Sequence, residues 1–216
     1  MSGLKEIERL RPDEIEKRSF AIISEELEER GITLPKEEEM ITKRVIHTSA
    51  DFEYVQTLVY AKDAVKIAKE LLLNGADIVT DTNMALAGIN KKILAGFGGE
   101  AHCFMADERV ARLAKERGVT RAAVSMEFAA RIPKPVIFAV GNAPTALVSL
   151  YEMIQKGDWK PAFVIGVPVG FVNVVAAKEL IMETDVPYIV NRGRKGGSNV
   201  AAAICNALLY ELGRNV

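Results

Sequence analysis

Val190-Asn191-Arg192-Gly193-Arg194-Lys195-Gly196-Gly197-Ser198-Asn199 is the stretch from which the fold reads outward. An apolar run, Val186 to Val190, leads into it, and a small-residue helical run, Val200 to Leu212, leads out. That is a strand, a loop and a helix in order. The loop carries three cations, three glycines and no acid. Glycine permits positive φ and lets a ligand approach the backbone. Ser198 reads as the N-cap of the following helix, whose free amides then sit beside the cations. Such a loop suits an anion, and the helix dipole adds to the attraction. The plainer reading is a solvated turn with surface cations; spacing alone leaves both open.

The same grammar recurs upstream. Asp77 to Thr82 reads as a short strand ending in polar residues, with a helical turn over Met84 to Ile89. Ala101 to Met105 is a second strand, and Asp107 caps the helix that runs to Gly118. Continuous apolar character makes Pro135 to Val140 and Pro161 to Gly166 buried strands. Asn142 reads as the N-cap of the helix after the first, and Val167 to Asn173 as the loop after the second. Two helices lead the chain. One is capped by Asp13, with Ile15, Ser19, Ile22, Ile23 and Leu27 on one face; the other runs from Pro35 to Ile46. Repeated strand–helix units imply an α/β fold: a mainly parallel sheet of about five strands, helices on both faces, right-handed crossovers. Loops at the carboxyl ends of the strands then gather at one edge, where ligands bind.

A chain of 216 residues is long enough for one sizeable core, so the whole of 1–216 reads as a single domain. A net charge of −1 excludes nucleic-acid binding by bulk charge. The two cysteines, Cys103 and Cys205, form no CxxC and read as reduced, buried thiols of a cytoplasmic protein. The charged amino end has no apolar leader segment, and no apolar run is long enough to span a bilayer.

Few residues can carry chemistry. His47, one of two histidines, follows Arg44 by three and precedes Asp51 by four, where the second helix gives way to a polar turn. It is either a satisfied structural residue or a proton donor and acceptor titrating near neutrality. His102, inside a strand, reads as structural. Ser19 either bonds back to its own helix or faces a pocket. Arg121 follows the cap Thr120 and so opposes the helix dipole; it is an exposed cation or one with an anion to meet. No GxGxxG, phosphate-binding GxxxxGK[ST], GxSxG elbow or metal-type cluster is present. One imidazole, several cations and many amides suit acid-assisted rearrangement of a polyanion better than hydrolysis or redox work.

Four motifs in order carry a resemblance. They are Arg44-Val45-Ile46-His47, Gly141-Asn142-Ala143-Pro144-Thr145-Ala146-Leu147, Gly166-Val167-Pro168-Val169-Gly170-Phe171-Val172 and Arg192-Gly193-Arg194-Lys195-Gly196-Gly197-Ser198. Together they resemble the precorrin-8X methylmutase family over nearly the whole chain, from Ile15-Glu16-Lys17-Arg18-Ser19-Phe20 onward. The resemblance implies a three-layer α/β/α sandwich acting as a homodimer with its pocket at the subunit interface. It implies migration of a methyl group from C-11 to C-12 of a corrin precursor by a 1,5-sigmatropic shift, in cobalamin biosynthesis. It makes His47 the catalytic residue, with Ser19, Arg44 and Arg121 at substrate-contacting positions. Asn142, Thr145, Arg192, Arg194, Lys195 and Ser198 are expected to contact substrate, the last loop as a carboxylate clamp. No cofactor and no protein-held metal is expected; any cobalt would belong to the substrate. Two alternatives stay open: a non-catalytic tetrapyrrole carrier on this scaffold, and an unrelated phosphosugar enzyme.

Overall fold

Strand β4, Val136–Val140, shows how the chain builds a sheet with two covered faces. It is buried throughout, and its side chains alternate: Ile137 and Ala139 enter one core, Val136, Phe138 and Val140 the other. The geometry is that of a computed structural model, in which residues 8–157 and 159–213 are described; the side chain of Asp13 lies outside this set. Strands β2 (Asp77–Thr80), β5 (Phe163–Gly166) and β6 (Tyr188–Asn191) repeat the alternation. They pair in parallel with β4 in the middle, and the short β3 (Ala101–His102) adds a parallel edge to β2. With β1 at Leu58–Tyr60, the strand order is β1-β6-β5-β4-β2-β3.

The sheet has six strands because β1, Leu58–Tyr60, adds antiparallel to β6, with Leu58 opposite Asn191. The run from Tyr54 to Ala61 carries no turn residue to mark that strand off. The expected strand from Ala101 to Met105 pairs over two residues only.

Helices cover both faces, giving the three-layer α/β/α sandwich. On one side lie α2 (Glu39–Ser49), α4 (Ala64–Leu73) and α11 (Ser198–Gly213). On the other lie α8 (Arg121–Ala129), α9 (Pro144–Lys156) and α10 (Val174–Met182). α11 is buried along most of its length, and its alanines let α2 pack close. α1 (Pro12–Glu29) lies across the outside of α2. Only part of its expected apolar face is used: Ile23 and Leu27 are buried, while Ile15 and Ile22 remain exposed. Its cap position is held by Arg11, whose amide and guanidinium both reach Glu14, so Asp13 falls inside the helix. α2 begins later than expected and runs three residues further, ending where Ala50 turns left-handed.

The carboxyl edge is closed by glycine. Gly196, at φ 154°, passes so near the β5 loop that a Cβ would stand 2.1 Å from the Val167 carbonyl oxygen. Backbone cannot yield there as a side chain could. Gly196→Ala is therefore expected to destabilise the fold by about 2 kcal/mol or more, read as a lowered urea midpoint at unchanged m-value.

Candidate functional site

α2 presents Arg44 and His47 one turn apart. Arg44 is 7% exposed. Its guanidinium lies 4.7 Å from the ring centre of Phe20 on α1 and 5.3 Å from that of Tyr210 on α11. Nη2 donates to Glu16 Oε1 at 2.7 Å, whereas Nε is buried with no hydrogen-bond partner among the described residues. A guanidinium flanked by two rings and tied at one nitrogen cannot swing away. His47 is exposed, its ring 5.4 Å from that of Phe20 at 36°. Both residues face a depression of about 290 Å³ that Gly88, Asn199 and Tyr210 help to line. Gly88 matters for clearance, since a Cβ there would stand 2.9 Å from the Ala202 methyl.

At the end of β2, Asp81 is 1% exposed. Its carboxylate accepts from the amides of Gly141 at 2.8 Å, Asn142 at 2.8 Å and Ala143 at 2.6 Å. Burial pushes its carboxyl above the usual range, and the three amides oppose that shift. Asn142 is thus not the cap of α9. Ala143 holds that position, and the amides expected to face an anionic ligand already hold an internal carboxylate. Thr82 caps α5 (Asn83–Gly88) and its hydroxyl meets that of Ser198 at 2.8 Å. Ser198 is the first residue of α11, so its hydroxyl is spent on Thr82 while Gly197 takes the cap position.

The cationic loop has a different shape from a free clamp. Lys195 reaches Asp51 at 2.5 Å and Glu53 at 2.8 Å, which ties the loop to the turn just beyond His47 and holds the Asp51 carboxyl below its ordinary range. Arg192 pairs with Glu179 at 3.4 Å. Arg194 stands over the Phe171 ring at 5.5 Å and forms no ion pair among the described residues. The loops after β5 and β6 are stitched together by Gly170 N–H to the Arg194 carbonyl at 3.1 Å and Gly197 N–H to the Val167 carbonyl at 2.9 Å.

The remaining expected residues lie apart. Ser19 donates back to the Ile15 carbonyl at 3.0 Å. Arg121 is exposed on the opposite face of the sheet from His47, in a separate depression with Arg112 and Lys115, and it makes no ion pair among the described residues. Thr145, near it, accepts from the Thr120 hydroxyl at 2.9 Å. His102 bonds Asp77 at 3.1 Å, a structural placement. Cys205 is buried, its thiol pushed up to about 12 by burial, and Cys103 is half-buried. Among the described residues no group of three or more His, Cys, Asp or Glu could hold a metal, and no helix is long and apolar enough to cross a membrane. Sequence reasoning missed Asp81 and the buried Lys178. Asp81 sits among polar residues at a strand end and Lys178 beside Glu179, so nothing local marked either as buried.

This edge of the α/β sandwich thus carries one exposed imidazole beside a caged arginine, with further cations around it. The chain belongs to the precorrin-8X methylmutase family, whose model matches residues 14–211. It is similar to a cobalt-precorrin-8 methylmutase of Salmonella typhimurium, 45% identical over 93% of this chain and 96% of that one. A precorrin-8X methylmutase of Pseudomonas aeruginosa is 37% identical, covering 91% of this chain and 94% of its own. A solved precorrin-8X methylmutase from Thermus thermophilus superposes with a TM-score of 0.83 at 36% identity, over 94% of this chain and 98% of that one.

Asp81→Asn replaces an acceptor oxygen with a donor facing donors. The expected cost is about 1–3 kcal/mol for amides left unmet, measured as a fall in thermal midpoint at neutral pH.

Proposed function

We propose that this chain carries out the intramolecular methyl shift from C-11 to C-12 of precorrin-8X or its cobalt-bearing counterpart, with His47 as the acid. The observation that carries the reading is the pair on α2: an exposed imidazole one turn from a guanidinium that three neighbours hold still. The substrate class is a macrocycle ringed with carboxylates. Arg44 lines the depression, and a carboxylate seated there would meet its guanidinium in a charge-assisted bond. Arg192 and Arg194, both exposed, extend the positive edge. An imidazolium donating to a ring nitrogen would polarise the π-system and ease migration of the methyl group. The shift conserves oxidation state, so the proposal assigns no redox cofactor, and any cobalt rides in the substrate.

A second copy of the chain completes the site in this reading. The depression at His47 sits at the low end of the ~300–1,000 Å³ usual for small-ligand pockets, which is small for a macrocycle. Phe171 and Val172, 81% and 79% exposed beside Arg194, leave apolar surface at the same edge for that copy to cover.

His47→Ala is expected to bind product as the parent does and to lose turnover by ~10²–10⁴-fold, followed through the visible spectrum and product mass with metal-free and cobalt-bearing substrate. Parent chain that returns either substrate spectrally unchanged would mark a carrier and overturn the reading. Mixing His47→Ala with Arg121→Ala chains tests the shared site. Random pairing is expected to restore up to about a quarter of parental activity if each pocket draws these residues from two copies; no restoration would overturn a site shared in this way.

A further inference from the structure

Lys178 is a lysine with no exposed surface, on a helix that otherwise packs apolar residues against the sheet. A buried ammonium is costly unless its donors are used. Here they are used on one target. Nζ donates to the Gly193 carbonyl and to the Lys195 carbonyl, each at 2.8 Å. Asn191, also without exposed surface, adds its amide to the Lys195 carbonyl at 2.8 Å and the Arg192 carbonyl at 3.2 Å. Three carbonyls of one four-residue loop therefore turn inward onto two buried donors. Gly193, at φ 76°, permits the turn. With its carbonyls drawn in, the loop holds Arg192 and Arg194 at the surface.

We infer that Lys178 is a positioning residue for substrate: it fixes the backbone of residues 192–195 so that Arg192 and Arg194 are held ready for an anionic group. This rests on the functional reading above. It assigns the loop's binding power to a lysine that never meets the ligand. Neither Arg192 nor Arg194 could be held this way by its own side-chain contacts, which among the described residues are one 3.4 Å ion pair with half-buried Glu179 and one ring contact with exposed Phe171.

The experiment compares parent, Lys178→Met and Lys178→Arg proteins in steady-state turnover and in limited trypsin digestion with mass readout. Lys178→Met is expected to raise KM by roughly tenfold, the loss of one anchored contact, with kcat within about twofold. Lys178→Arg, which keeps donors in place, is expected to return KM toward the parent. Trypsin should leave the parent loop intact and cut Lys178→Met after Arg192, Arg194 or Lys195. A folded Lys178→Met with parental KM and an uncut loop would overturn the inference. So would a fall in kcat that follows melting temperature while KM holds, which is the mark of a structural role alone. Should Lys178→Met not fold, Lys178→Gln, with one shorter amide donor, carries the same comparison. If the parent turns nothing over, the functional reading fails, while the cleavage pattern still decides whether Lys178 holds the loop.

Discussion

The burial of α11 between the sheet and α2 is the constraint on which the site depends. Its alanines allow close approach, and that approach sets how α2 lies and where its last turn ends. Tyr210 of α11 and Phe20 of α1 then close on the Arg44 guanidinium from two sides. His47 follows one turn later, at the rim rather than in the core. The position of the imidazole thus rests on helix packing: among the described residues it makes a ring contact with Phe20 and no hydrogen bond or ion pair, and its place comes from the helix beneath it.

A second theme is that this edge spends much of its own polarity internally. Asp81 takes the three amides at the start of α9, and Lys195 takes the carboxylates of Asp51 and Glu53. These bonds join elements far apart in sequence and keep the glycine-rich loops in one arrangement. What remains outward is selective: the Arg44 face, the imidazole, Arg192 and Arg194. For a rigid, many-times-charged ring, preorganised cations avoid the ordering cost that flexible ones incur on binding.

Much of this was legible in the chain, for reasons that are local. Val136–Val140 and Phe163–Gly166 read as strands because burial on both faces demands unbroken apolar character. Thr120 and Asp107 act as caps as expected, since a cap needs only its own next turn. The failures were non-local. Asn142 has the chemistry of a cap, but Ala143 holds that position and the Asn142 amide goes to a carboxylate 61 residues upstream. Ser198 turned to Thr82, which the fold brings beside it. Leu58–Tyr60 became a strand because β6 offered an open edge, not because three residues announce one. Arg44 was placed correctly on the second helix, whereas His47 was expected just past its end and lies inside it because the helix runs on to Ser49; the rings that cage Arg44 and the buried lysine beneath the cationic loop appear only once distant elements pack.

The chain has two histidines, His47 and His102, so ring-nitrogen NMR of histidine-labelled protein reports on them separately. Titrating in the corrinoid product is the most direct test of where the macrocycle sits. The account predicts that the His47 signals move or broaden with saturation while those of His102, bonded to Asp77 on the β2–β3 edge, stay in place. Saturable binding that leaves His47 unmoved, or that moves His102 instead, would contradict it.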